Sequence, residues 1–176
     1  AYVRGYKECI EAQCTWVLEI DAGYSHQPEE IPALLNKMAQ GYDCVFGSRF
    51  LQGGNVKLSP YRLTVSWAGS FLSKILLGSQ LTDMTSGFQC FDREVLKSII
   101  SKGIKSRGPF FQTEMKAYAC KLDIAEVPIS YNSGDHQVGL KDLNDAVAGL
   151  LRLVYLRLSG GLFIRKLTVD HTFVCK

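Results

Sequence analysis

Trp16-Val17-Leu18-Glu19-Ile20-Asp21-Ala22-Gly23-Tyr24-Ser25-His26-Gln27-Pro28 is an apolar run that stops at an acid, a glycine and a proline. It reads as a buried strand delivering Asp21 to the exposed lip of a sheet, with Pro28-Glu29-Glu30 opening the next helix. That alternation belongs to open α/β folds, whose ligands bind where strands end at their carboxyl edge. Two readings of Asp21 follow: a functional acid at that edge, or a residue that only caps the turn, as Asp does for local hydrogen-bonding reasons.

Working upstream, Tyr2, Val3, Tyr6, Cys9, Ile10 and Cys14 recur at spacings of three and four, so residues 1–13 are expected to form an amphipathic helix. The chain thus opens inside a helix that feeds a strand. Parallel strands are joined by such crossovers, so a strand is expected ahead of this helix and the fold reads as N-terminally truncated.

Downstream, the sequence predicts a helix over residues 28–40 closed by Gly41, a strand over 42–48 and a glycine-bearing loop from Phe50 to Tyr61. A helix follows over 61–77 and a short strand over 88–91. Asp92 caps a helix over 93–101, a basic loop spans 102–108, and helix 110–121 leads to a strand over 123–131. Residues 132–139 form a polar loop and 140–158 an amphipathic helix, while 160–176 carry no assignable pattern. With no internal repeat or linker, residues 1–176 read as one domain, a mostly parallel sheet flanked by helices, with 140–176 as its C-terminal amphipathic helix and tail.

Composition narrows the function. At 47% apolar and 21% charged the chain has an ordinary globular core. Twenty basic against 17 acidic residues, with no basic run, give no footprint for nucleic acid. Six cysteines lack any C-x-x-C pair and several sit in apolar patterns, as buried thiols of a reducing compartment do. No Gly-rich phosphate loop of the G-x-G-x-x-G or Walker type occurs.

The ordered set formed by Asp21 to Pro32, Gly47-Ser48-Arg49-Phe50, Gly53-Gly54, Thr85-Ser86-Gly87-Phe88, Phe111-Gln112-Thr113-Glu114 and Glu126-Val127-Pro128-Ile129 resembles the family 2 glycosyltransferases, most of all the dolichyl-phosphate (polyprenyl-phosphate) mannose synthase branch. The resemblance implies a GT-A-like nucleotide-sugar-binding fold and an inverting transfer of a hexose, mannose or glucose, from a GDP- or UDP-sugar to a polyprenyl phosphate. It also implies Mg²⁺ or Mn²⁺ near an Asp-x-Asp motif, since hard carboxylate oxygens and a divalent cation offset the charge of a departing diphosphate. Here Gly23 replaces the second Asp, so Asp21, with His26 close along the chain, is the expected metal set.

By the same resemblance Arg49 and Arg62 stand where phosphate-contacting arginines are placed, and a planar guanidinium suits that task. Asp83 matches the acid of the acceptor side; a lipid phosphate is already an anion, so Asp83 is expected to orient rather than abstract a proton. Asp21, Ser86, Gly87, Gln112 and Glu114 are the expected substrate contacts, with only one of Gln112 and Glu114 facing the site because they are two apart on a helix. The loop from Asn132 to Gly139 lacks the Arg and Lys that similar lipid-phosphate transferases carry, though it includes His136. The expected setting is cytoplasmic, with helix 140–158 as a peripheral membrane contact. Gly23 and the missing strand also admit an alternative, a transferase-like binding or regulatory module.

Overall fold

A computed structural model describes residues 1–23, 25–132 and 139–164. Six strands and six helices alternate through it, in the order α1 (Tyr2–Glu11), β1 (Trp16–Glu19), α2 (Ile31–Met38), β2 (Cys44–Ser48), β3 (Asn55–Lys57), α3 (Pro60–Leu77), β4 (Gln89–Asp92), α4 (Arg93–Ser101), α5 (Phe110–Ala119), β5 (Ile124–Pro128), β6 (Ser130–Asn132) and α6 (Leu140–Leu158). A short 3₁₀ turn, Pro28–Glu30, precedes α2.

The main sheet has strand order β1-β4-β2-β5. β4 is antiparallel to both β1 and β2, whereas β2 and β5 are parallel. Three of the four strands therefore run the same way, with β4 inserted against them. The carboxyl ends of β1, β2 and β5 meet at one edge, and β4 begins there. β2 is buried along its whole length, as expected of an inner strand covered on both faces.

Alternation along β1 buries Val17 and Glu19 on one side. That side joins the larger core, with Tyr6 of α1, Phe46, Phe91, Phe111, Met115 and Leu153. On the other side Leu34 and Met38 of α2 cover Val45, Phe88, Cys90, Val127 and Ile129. Fully burying a side chain such as Phe46, Phe88 or Phe91 is worth about 1.5–3 kcal/mol.

Local signals fix several boundaries. Asp92 accepts from the Glu94 and Val95 amides and starts α4. Gly78, at φ +67°, ends α3 in the left-handed region where a side chain is disfavoured. The guanidinium of Arg157 on α6 lies against Gly78 and donates from Nη1 to the Ile75 and Leu76 carbonyls at 3.2 and 2.7 Å, tying α3 to α6.

Two expectations change. The loop from Phe50 to Tyr61 contains β3, and the single strand foreseen over 123–131 ends at Pro128, beyond which the chain continues as β6. β3 and β6 pair with each other in a separate two-stranded parallel sheet beside the sheet edge. Pro128 has no N–H to continue the ladder. Among the described residues the cysteines are free, and Cys44, Cys90 and Cys120 are buried.

Candidate active site

Asp21 lies two residues past β1, its carboxylate one-third exposed. Its neighbours come from two other elements. A Cβ placed on Gly87, in the turn entering β4, would lie 3.1 Å from Gln112 Nε2 and 3.6 Å from Asp21 Oδ1. Gly87 thus allows a close approach that a side chain would fill. Asp21, Gly87 and Gln112, three of the expected substrate contacts, converge at the edge where the parallel strands end.

Behind them is a buried polar network. Gln112 Nε2 donates to Glu19 Oε1 at 2.6 Å, and Gln89 Nε2 donates to Glu19 Oε2 at 3.0 Å and to Gln112 Oε1 at 2.7 Å. Tyr6 OH donates to the same Glu19 carboxylate. Burial pushes the Glu19 carboxyl up, while the hydrogen bonds from Gln89 and Gln112 work against that shift. Glu19 ends β1 two residues before Asp21, the spacing at which an extended chain points side chains the same way. That parity is the signal by which the sequence could have brought Glu19 forward.

The turn from Thr82 to Gly87 is held from several directions. Glu126 of β5 accepts from the Thr82 amide through both oxygens and from the Asp83 amide at 3.2 Å. Ser70 Oγ accepts from the Met84 amide, and Asp83 Oδ1 accepts from the Thr85 and Ser86 amides, each at 3.1 Å. Ser86, expected as a substrate contact, is only 2% exposed and its Oγ accepts the Phe88 amide. Lys116 of α5 closes the turn from beneath, Nζ donating to the Asp83 and Ser86 carbonyls at 2.8 and 2.9 Å. Lys116 is one helical turn from Gln112, on the same face of α5. Burial pulls its ammonium down to about 8.

Asp83 and Arg49 form a buried pair. Arg49 Nε donates to Oδ2 at 2.7 Å and Nη2 to Oδ1 at 2.8 Å, the two-pronged geometry that suits a carboxylate. Nη2 also reaches Ser66 Oγ of α3 at 2.9 Å, and the guanidinium stacks over the Phe50 and Tyr131 rings. Burial alone would raise the Asp83 carboxyl, but the Arg49 hydrogen bonds and charge hold it well below the usual carboxylate range. Asp83 is therefore ionised and a poor base. Arg49, expected to grip phosphate, has two of its nitrogens committed to Asp83. Arg62 lies in the first turn of α3, four residues from Ser66 and so on the same helical face.

His26 and Glu114 take places away from solvent. His26 is 1% exposed, between the Phe88 and Tyr131 rings, and its Nδ1 accepts the Asp21 amide at 3.4 Å. Burial pulls its pKa down to about 4, so the ring is neutral near pH 7. The proton then sits on Nε2, a buried atom with no hydrogen-bond partner. Glu114, fully buried, accepts from the Lys105 and Ser106 amides, from Tyr118 OH and from Arg152 of α6. It fastens the 102–108 loop and α6 to α5, and of the two α5 candidates Gln112 is the one facing Asp21. His136 lies outside the described residues.

Fit to a divalent cation is partial. Among the described residues no three His, Cys, Asp or Glu side chains gather to hold one. At Gly23 a Cβ would meet, among the described residues, only Ser25 Oγ, at 3.9 Å, and glycine itself brings no ligand atom. The donor set fits a cation that arrives with diphosphate oxygens and waters and takes Asp21 as its protein ligand.

An open α/β sheet with an acid and a glycine turn facing each other at its carboxyl edge has the architecture of α/β domains that bind ligands at that edge. Residues 3–100 match glycosyl transferase family 2, and the chain belongs to that family. It is 35% identical over 152 residues to an undecaprenyl-phosphate mannosyltransferase of Micrococcus luteus, covering 85% of this chain and 61% of that protein. A polyprenol monophosphomannose synthase of Mycolicibacterium smegmatis is 32% identical over 147 residues, covering 82% of this chain and 55% of that one. The chain thus spans somewhat over half the length of these relatives. Among solved structures, glucosyl-3-phosphoglycerate synthase from Mycobacterium tuberculosis, in complex with Mn²⁺, UDP-glucose and phosphoglyceric acid, superimposes with a TM-score of 0.58 at 20% identity, covering 85% of this chain and 53% of that one. The fold is GT-A-like.

Proposed function

We propose that the protein transfers a hexose from a GDP- or UDP-sugar to a polyprenyl phosphate, with inversion at the sugar carbon. The observation that carries this reading is the likeness to an undecaprenyl-phosphate mannosyltransferase over 85% of the chain. A phosphate oxygen of the acceptor forms a bond to the anomeric carbon as the bond to the nucleoside diphosphate breaks on the opposite face. The attacking group is already an anion, so no side chain has to take its proton.

Asp21 binds at the donor end, where Mg²⁺ or Mn²⁺, when bound, draws charge off the departing diphosphate. His26 positions Asp21 from behind through its backbone amide. Gln112 and Gly87 line the sugar's side of the site. The Asp83–Arg49 pair sets the shape of the acceptor side, with Arg62 at its rim.

The acceptor's lipid tail requires a membrane face, and α3 and α6 supply an apolar one. Trp67 and Phe71 stack at 5.4 Å on α3 and are about half exposed, and Val147, Leu151, Tyr155 and Leu158 are exposed along α6. These exposed stripes suit a peripheral contact at the cytoplasmic face; among the described residues no helix is long and apolar enough to cross a membrane.

The test supplies the protein with radiolabelled GDP-mannose or UDP-glucose, Mn²⁺, and vesicles carrying undecaprenyl phosphate. Label is expected to move into the lipid, and the protein to sediment with the vesicles. The Asp21→Asn variant should lose about 100-fold in transfer rate. Sugar-nucleotide binding without lipid labelling would instead favour the binding-module alternative, and neither binding nor labelling would sink the enzyme reading.

A further inference from the structure

Lys116 is a charged side chain with 0% exposure, and among the described residues it makes no ion pair. Burying an unpaired ammonium is costly, and a side chain needed only to fill space on α5 would be apolar. Its contacts instead are two backbone carbonyls of one turn, Asp83 and Ser86, and the face of the Phe46 ring at 5.3 Å. The two carbonyls bracket the turn whose far side is Gly87, against Asp21 and Gln112. Those carbonyls point into the protein, where only a multi-donor group can serve both at once. The opposing charge is near without touching: Asp83, Glu126 and Glu19 all act on the ammonium electrostatically.

We propose that Lys116 is a positioning residue for the transfer, locking the Asp83–Ser86 part of the turn from inside so that the acceptor end of the site, set by Asp83, keeps its shape. This rests on the transferase reading above. Lys116 touches no substrate and acts through the turn. The cross-links already described hold the turn's amides, through Glu126, Ser70 and Asp83, while Lys116 holds the Asp83 and Ser86 carbonyls and Thr113 Oγ1 the Met84 carbonyl between them. Losing the ammonium leaves both carbonyls buried without a donor, and the turn is free to rotate them toward water.

Lys116→Met keeps the length and removes the donors; Lys116→Gln keeps a donor without the charge. Hydrogen exchange in Lys116→Met is expected to speed at least about tenfold at the Thr85 and Ser86 amides while the β2–β5 ladder amides hold their protection. In transfer assays the acceptor KM should rise about tenfold with the donor KM within about twofold, and Lys116→Gln should recover part of the loss. A folded Lys116→Met variant with unchanged Thr85 and Ser86 exchange, or with exchange raised equally throughout the domain, overturns the proposal. So does an equal rise in both KM values.

If Lys116→Met does not fold, the same readings on Lys116→Gln decide. In the unmodified protein the Lys116 ammonium hydrogens should exchange slowly enough to be seen by nitrogen-15 NMR, and rapid exchange would refute the buried contact without any variant. Exchange is read without substrate, so absence of transfer in every form would sink the transferase reading while leaving the Lys116 result intact.

Discussion

From Thr82 to Ser86 every backbone N–H is given to a side chain, of Glu126, Ser70 or Asp83. Across the site, among the described residues from Asp21 to His26, one is, the Asp21 amide to His26 at 3.4 Å. The first turn is preorganised by the protein, while the second presents one carboxylate and an open glycine position. A ligand bound at this edge would meet a fixed turn on one side and the Asp21 carboxylate on the other. Electrostatic groups fixed in advance act without reorganisation when charge moves, which is where the rigid side contributes.

The largest effect should come from breaking the rigid side. Arg49→Met leaves the Asp83 carboxylate buried without its partner, and a loss of about 3–5 kcal/mol in urea unfolding is expected. A loss under about 1 kcal/mol would mean that the pair adds little to the turn.

Acid should then separate the two turns. The His26 pKa is lowered from 6.5 to about 4, so its contribution is present above pH 6.5 and lost as pH falls toward 4. The full effect is about 3 kcal/mol. Asp83, whose pKa is depressed, keeps its contribution through that window and loses it only at more acid pH. The stability of His26→Gln should fall less steeply between pH 6.5 and 4 than that of the unmodified protein, with the slope of the other shifted groups such as Glu19 left in both; equally steep profiles would exclude His26 as the cause.

The smallest effect tests the loose side by adding to it. Gly23→Asp should fit, with only Ser25 Oγ of the described residues within 4 Å of the new Cβ, and leave stability within about 0.5 kcal/mol. Calorimetry should show Mn²⁺ in the presence of nucleoside diphosphate binding about tenfold tighter, about 1.4 kcal/mol. No gain would mean that residue 23 faces away from the cation.

Much of this was legible in the sequence. Helix Leu140–Leu158 falls on its predicted limits because a long 3.6-residue period leaves little choice. Asp21 was singled out by its place after a strand and Arg49 by the resemblance; the structure puts Asp21 at the carboxyl edge of the sheet and Arg49 on Asp83. β3 escaped because three residues between a glycine pair and a proline have no period of their own; their strand exists through pairing with Ser130–Asn132. The buried ionic groups Glu19 and Lys116 were missed for a related reason. A charge on a helix or strand reads locally as solvated, and only the tertiary structure shows what covers it. Gln112 and Glu114 illustrate the limit: the sequence said one would face the site, and packing chose Gln112.

Arg157 gives the apolar stripes of α3 and α6 a common geometry. A guanidinium from one helix grasps the final carbonyls of the other, so the two stripes tilt as a single plate. Any surface that takes up the plate also sets the angle at which the sheet edge meets it. Attachment through such a plate would be spread over many apolar side chains, while its tilt would be held in part by one arginine.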